Sequence, residues 1–97
     1  MSMLGAQQSF TTGTVNKTPV GPGVYQCLSG GNTIYIGWTG PEGIRKKLHE
    51  HYSGKLGTCT QISTSFLCEE HDDPEARAKE LLEEYRAEYG SLPRCNR

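Results

Sequence analysis

Residues 23–37 have the sequence GVYQCLSGGNTIYIG, in which two short strand-like runs flank a glycine-rich turn. Each run combines a tyrosine with a glycine and a β-branched residue. Gly30 and Gly31 can adopt the positive φ angles that a tight hairpin turn demands. The two runs are therefore predicted to pair antiparallel and to bring Tyr25 and Tyr35 close together. Two phenol hydroxyls at one place suggest a functional site, although tyrosines are also common in strands for packing reasons alone.

The composition predicts one small domain with no strong overall charge. The chain has 97 residues, a formal net charge of −1 and a hydrophobic content of 34%. A chain of this length forms a single domain with a small core. The first 19 residues are rich in Ser, Thr, Gln and Gly and show no hydrophobic periodicity. We expect residues 1–19 to be a mobile arm and residues 20–97 to be the folded domain.

Charge is distributed unevenly along the chain. Residues 40–58 are net basic, whereas residues 69–88 are strongly acidic. The acidic segment argues against broad DNA contact on its own face, because phosphates would be repelled there. That face is either a solvated surface or a surface that binds a basic protein.

The cysteines indicate the compartment. Cys27, Cys59, Cys68 and Cys95 form neither a C-x-x-C pair nor a His/Cys cluster with zinc-finger spacing. No apolar run is long enough for a signal peptide or a membrane helix. We therefore expect a cytoplasmic protein with no membrane contact and with reduced thiols, the alternative being a disulfide.

Two helices follow from their end signals. Thr39 and Glu42 form a predicted capping box for a first helix, which Gly54 ends. The Asp-Asp-Pro sequence at 72–74 predicts the start of a second helix, which Gly90 ends.

Residues 62–68 contain β-branched and aromatic side chains and predict a third strand. The element order is then ββαβα. The fold class is α+β, with a small three-stranded antiparallel sheet covered by helices.

Five features follow one another along the chain: the hairpin with its two tyrosines, the basic helix ending in histidine, the third strand, the second helix and a P-x-x-N tail at residues 93–96. Together they resemble the GIY-YIG nuclease superfamily. The similarity covers about residues 21–97. It implies metal-assisted cleavage of DNA phosphodiester bonds, with Mg²⁺ or Mn²⁺ as the cofactor. Cations suit this chemistry, because a phosphodiester is anionic and resists attack.

The resemblance also implies roles for individual residues. Tyr25 and Tyr35 match the two motif tyrosines, the first as the base or nucleophile or its activator, the second as a phosphate contact. The family's arginine falls at Lys47 when the helix is anchored on its apolar residues, and at Arg45 when residues are counted from Tyr35. The lysine ammonium is a compact charge, whereas the arginine guanidinium is planar and can donate two parallel hydrogen bonds to a phosphate. His51, one turn after Lys47, falls where the family often has histidine or tyrosine.

The family's metal-binding glutamate falls at Ala78. Glu75 lies one helical turn earlier and could reach toward the sheet, whereas Glu80 is the nearest carboxylate in sequence but faces solvent. Glu84 has the family's spacing to the tail but a poor helical face. The metal ligand is therefore either displaced or missing. Asn96 occupies the position of the family's asparagine that supports the site.

Some of these residues have a second interpretation. The basic run at 45–47 is also typical of a solvated helix face. His51 equally suits a cap at the helix C-terminus, where a cation is favoured. Trp38 either shields the site, stacks on a base or packs at its rim.

Two hypotheses of function follow. The first is a metal-dependent endonuclease with an altered active site, which binds DNA through the first helix and the loop at Lys55. The second is a catalytically inactive module of the same fold that binds nucleic acid or a protein partner. The tyrosine pair favours the first hypothesis, and the residues at positions 47 and 78 favour the second.

Overall fold

The computed structural model describes residues 7–96, so residues 1–6 of the predicted arm and Arg97 lie outside the described residues. The four strands are β1 (Gln8–Ser9), β2 (Gly23–Ser29), β3 (Asn32–Thr39) and β4 (Ser65–Glu70). The helices are α1 (Thr12–Val15), α2 (Ile44–Ser53), α3 (Thr58–Gln61) and α4 (Pro74–Tyr89), followed by a 3-10 helix over Arg94–Asn96. The strands form one antiparallel sheet with the order β1-β4-β2-β3. Within residues 7–96, no helix is both long enough and apolar enough to cross a membrane.

The β2–β3 hairpin has the turn that the glycines predicted. Ser29 pairs with Asn32 across a two-residue turn. Gly30 and Gly31 adopt φ angles of 57° and 86°. Positive φ at both central residues gives the turn a twist that matches the paired strands.

The register of the hairpin places both tyrosines on one face. Tyr25 lies opposite Gly37, and Tyr35 lies opposite Cys27. The tyrosines are thus diagonal neighbours on adjacent strands, a separation that aromatic side chains can bridge.

β1 is a fourth strand, where the sequence predicted three. Gln8 of β1 pairs with Phe66 of β4. Phe10 and Val15 are buried in the core. Residues 7–19, predicted to be a mobile arm, therefore belong to the folded domain. A two-residue edge strand is held by backbone hydrogen bonds, so its sequence needs no periodic pattern.

Two apolar clusters cover the two faces of the sheet. The cluster beneath α1 and α2 contains Phe10, Val15, Tyr25, Cys27, Ile34, Ile44, Leu48 and Phe66. The cluster beneath α4 contains Val24, Ile36, Ala78 and Leu81. Side chains alternate along a strand, so Tyr25 faces α2 while its neighbour Val24 faces α4. α4 thus packs on the face opposite the tyrosines.

The start of α2 differs from the prediction. The helix begins at Ile44 after Gly43, which has a φ of 92° and provides no side-chain cap. The predicted capping box of Thr39 and Glu42 is therefore absent. Thr39 is instead buried at the end of β3, and its hydroxyl donates to the Gly43 carbonyl at 3.3 Å.

α4 begins and ends as predicted. Oδ1 of Asp73 accepts a hydrogen bond from the Ala76 amide at 3.3 Å, and Gly90 follows the helix in the left-handed conformation. The third predicted strand, β4, lies slightly later in the chain than residues 62–68, because residues 58–61 form α3.

Candidate active site

A pocket of about 270 Å³ lies between the hairpin, α2, α3 and the C-terminal 3-10 helix. Its polar side chains belong to Tyr25, Tyr35, Lys47, His51 and Thr60. We call this cavity the tyrosine pocket. Trp38 also lines it, so the pocket brings together five residues that the sequence singled out, and it adds Thr60.

The two tyrosine rings meet as the hairpin register predicts. Their centroids lie 6.0 Å apart, and each ring lies little more than 5 Å from the His51 ring. Gly37 makes this arrangement possible. A Cβ there would lie 2.6 Å from Cε2 of Tyr35 and 2.7 Å from the hydroxyl oxygen of Tyr25. The glycine of the second run thus provides the space that both rings occupy.

We expect Gly37→Ala to lower the free energy of unfolding by about 1–3 kcal/mol, because the added methyl group overpacks a filled space. Urea unfolding followed by circular dichroism measures the change. Gly13→Ala is the matched control, since a Cβ there meets nothing within 4 Å. Because Gly13 lies within α1, alanine there is expected to leave the free energy of unfolding unchanged or to raise it by up to about 1 kcal/mol. Equal effects of the two substitutions would contradict this account of Gly37.

A continuous hydrogen-bond chain links Tyr25, His51 and Thr60. The Tyr25 hydroxyl lies 2.7 Å from Nε2 of His51, and Nδ1 of His51 lies 2.6 Å from Oγ1 of Thr60. All three residues are buried. Both ring nitrogens of His51 are therefore engaged inside the pocket, so the ring does not cap the C-terminus of α2.

The buried surroundings keep the side chains of this hydrogen-bond chain uncharged. Burial, reinforced by the nearby Lys47 ammonium, lowers the pKa of His51 to about 4. Burial also raises the pKa of Tyr25 well above its usual range, and the neighbouring Tyr35 adds to the effect. At neutral pH the hydrogen-bond chain therefore contains an uncharged His51 imidazole and an uncharged Tyr25 phenol.

The lowered pKa of His51 predicts a pH dependence of stability. Between about pH 6.5 and pH 4 the unfolded chain binds a proton at this histidine that the folded protein does not. We therefore expect stability to be complete above pH 6.5 and to fall as the pH drops toward 4. Urea unfolding at pH 7.5 and 4.5 measures the loss, and His51→Gln should lose less than wild type. The variant serves as the control, because carboxylates titrate in the same range. Equal losses would contradict the prediction.

Lys47 provides the positive charge of the tyrosine pocket. Its Nζ lies 3.9 Å from Oε1 of Glu50, and Glu50 also pairs with Lys55 at 3.8 Å. Partly exposed pairs of this length are weak. The Lys47 ammonium is therefore available to an anion in the pocket, as a point charge with no fixed fork geometry.

Arg45, the alternative to Lys47, does not line the pocket. Its Nε and Nη2 donate to the Thr18 carbonyl at 3.0 and 2.5 Å. This side chain instead ties α2 to the segment that precedes β2.

Asn96 pairs with the free edge of the sheet. Its Oδ1 accepts from the Ile36 amide at 2.8 Å, and its Nδ2 donates to the Ile36 carbonyl at 2.9 Å. The side-chain amide thus mimics one residue of a neighbouring strand. It holds the C-terminal segment beside β3, which places Cys95 in the pocket lining.

The structure does not bring the predicted metal ligands to the tyrosine pocket. Ala78 is buried in the apolar cluster beneath α4. Glu80 forms an ion pair with Arg77, and Glu75 lines a separate groove. The physical reason is the side of the sheet on which α4 packs, which is opposite the tyrosines.

A divalent cation does not fit the side chains of the tyrosine pocket. Mg²⁺ and Mn²⁺ prefer oxygen ligands, above all carboxylates. No carboxylate from residues 7–96 lines the pocket. That part of the chain also contains no group of three or more His, Cys, Asp or Glu side chains placed to hold a metal ion. Metal dependence stays a prediction from the resemblance.

A disulfide forms part of the pocket wall. Cys59 of α3 and Cys95 of the 3-10 helix are bonded, with their Cα atoms 5.8 Å apart. The prediction of reduced thiols is therefore wrong for this pair, whereas Cys27 and Cys68 are free. The two bonded cysteines are 36 residues apart in sequence, and only the fold brings them together.

Thr60 is the functional candidate that the sequence did not indicate. It lies on the four-residue helix α3, just before the residues 62–68 that were predicted to form the third strand. Its hydroxyl matters because it contacts His51, and no spacing rule connects a histidine to a threonine on another element.

No family model matches the chain, and no curated protein matches it. The functional assignment therefore depends on the chemistry of the tyrosine pocket and on the motif resemblance.

Proposed function

We propose that this domain is an endonuclease of the GIY-YIG type that hydrolyses DNA phosphodiester bonds in the tyrosine pocket. One observation supports the proposal above the others. Two tyrosine hydroxyls, a neutral histidine and a lysine converge in one small pocket. A phosphodiester needs a positive charge, hydrogen-bond donors and a proton acceptor at the site of attack, and this set contains all three.

In the proposed complex, Lys47 and Tyr35 bind the phosphate. The Lys47 ammonium offsets the negative charge of the phosphate oxygens, and the half-buried Tyr35 hydroxyl donates a hydrogen bond. The sugar-phosphate backbone of the DNA approaches on the side of the hairpin and α2, away from the acidic surface of α4.

Tyr25 and His51 then accept the proton that the attacking water loses. When Nδ1 of His51 donates to Thr60, Nε2 is free to accept the Tyr25 proton. Water attacks phosphorus and passes a proton to the Tyr25 oxygen, while Tyr25 passes its own proton to Nε2. The bond from phosphorus to the leaving oxygen breaks, and that oxygen takes a proton from solvent. The negative charge of the bound phosphate stabilises the imidazolium that forms on His51. This offsets the low pKa that His51 has without substrate.

An inactive module that binds nucleic acid is the second candidate. It is favoured by the position of the carboxylates, none of which lines the pocket from residues 7–96. In this case Lys47 and Tyr35 would still bind phosphate, but cleavage would be absent.

Nicking of supercoiled plasmid and cleavage of branched DNA test the proposal, with Mg²⁺, Mn²⁺ or EDTA present. We expect nicking by wild type and at least tenfold less by Lys47→Ala, because a charge-assisted phosphate contact is worth about 1.5–3 kcal/mol. Lys46→Ala is the matched control, since Lys46 is exposed on the same helix and does not line the pocket. Equal nicking by the Lys47 variant and wild type would contradict the assigned site. Binding that depends on Lys47 without nicking would favour the inactive module.

A further inference from the structure

Trp38 separates the tyrosine pocket from a second cavity. It is the only tryptophan in the chain and lies near the end of β3, with 43% of its surface exposed. It lines the tyrosine pocket on one side and a groove of about 350 Å³ on the other. We call this groove the acidic groove, because Asp72, Asp73 and Glu75 line it together with Pro22, Pro41 and Pro74.

The acidic groove combines a flat apolar wall with hydrogen-bond acceptors. Trp38 and the prolines provide rigid apolar surface, on which a planar ring can stack. Asp72 and Glu75 are exposed, and Asp73 uses one oxygen to cap α4. A phosphate would be repelled by these carboxylates, whereas a group with N–H donors would be attracted. The acidic groove on one side of Trp38 is thus negatively charged, whereas the tyrosine pocket on the other side carries the positive charge of Lys47.

We propose that the acidic groove binds an unpaired nucleobase that carries an exocyclic amino group, stacked on Trp38. The base belongs to a nucleotide whose phosphate lies in the tyrosine pocket, so this inference rests on the proposed function. It defines the substrate class as DNA with an unpaired base beside the scissile phosphate.

Two chemical requirements lead to this class. A base within a duplex is already stacked and paired, so only an unpaired base can enter a groove. Aspartate and glutamate accept hydrogen bonds from the cytosine N4 amino group, whereas thymine presents a carbonyl oxygen at the same position. Stacking on an aromatic side chain is tolerant of sequence, so the carboxylates provide the discrimination.

The fluorescence of Trp38 tests the inference directly. The wild-type chain is titrated at pH 7.5 in EDTA with a deoxycytidine hexamer and, separately, with a thymidine hexamer. Because Trp38 is the sole tryptophan, any quenching has one source. We expect saturable quenching by the deoxycytidine hexamer and roughly tenfold weaker binding of the thymidine hexamer.

Substitutions extend the test through the anisotropy of a dye-labelled deoxycytidine hexamer. Trp38→Ala should weaken binding by about tenfold. Tyr89→Ala should not, because Tyr89 is a comparably exposed aromatic side chain at the far end of α4. Equal binding of the two hexamers, or Lys47-dependent binding without quenching, overturns the base subsite and leaves the proposed function standing. Failure of both hexamers to bind, together with no nicking, overturns the proposed function and this inference with it.

Discussion

Replacing Tyr25 by phenylalanine is expected to lower the rate of DNA cleavage at least 100-fold while the fold persists. Phenylalanine keeps the ring that fills the buried cluster beneath α2 but removes the hydroxyl that bonds to Nε2 of His51. A proton-transfer group of this kind contributes about 10²–10⁴ to the rate. Single-turnover cleavage of one labelled substrate by wild type and variant measures the effect.

Two comparisons make the result specific to Tyr25. Tyr89→Phe removes a hydroxyl from an exposed tyrosine on α4 and should leave the rate unchanged. Far-UV circular dichroism should show that Tyr25→Phe is folded, although about 1–3 kcal/mol of stability is lost because buried His51 loses a hydrogen-bond partner. A rate within about threefold of wild type would contradict the proton-transfer role.

Removal of the Cys59–Cys95 disulfide is expected to lower the free energy of unfolding by about 4 kcal/mol. The cross-link spans 36 residues, and loop-closure entropy for a loop of that length gives this value. Small domains are stable by only about 5–15 kcal/mol, so the loss is a large fraction of the total. Urea unfolding of the Cys59→Ser/Cys95→Ser variant measures it.

The same substitution should also reduce cleavage, because each cysteine precedes a residue that shapes the site. Cys59 is followed by Thr60, which contacts His51, and Cys95 is followed by Asn96, which pairs with β3. A dithiol reductant should destabilise wild type by a similar amount and leave the double variant unchanged. Cys68→Ser, at a free half-buried cysteine, is the control and should have a much smaller effect. A loss below about 1 kcal/mol in the double variant would contradict the prediction.

The parts of the fold that follow from local rules were predictable from the sequence. Two adjacent glycines specified the hairpin turn, and Asp73 and Gly90 specified the ends of α4. β1 was not predictable, because a two-residue edge strand in a polar segment is held by backbone bonds and by the burial of Phe10 and Val15. The start of α2 was misplaced for a similar reason, since the tertiary structure buries Thr39.

The candidate site was predictable where residues share an element or a hairpin register. Tyr25 and Tyr35 meet because the turn sets their strands, and Lys47 and His51 meet because they lie one helical turn apart. Residues on different elements escaped prediction. Helical periodicity identifies the apolar face of α4 but not the side of the sheet on which it packs, and that side takes Glu75 and Glu80 away from the tyrosines.

The proposed function requires that a phosphodiester binds beside Tyr25 and His51. The most direct measurement is an NMR titration of protein labelled with ¹³C in its aromatic side chains, with a deoxycytidine hexamer in EDTA so that no metal-dependent turnover occurs. We predict saturable shifts of the His51 and Tyr35 ring signals, and their loss in Lys47→Ala but not in Lys46→Ala. Shifts confined to Tyr85 and Tyr89 on α4, or binding that leaves the His51 ring signals unmoved, would contradict the account.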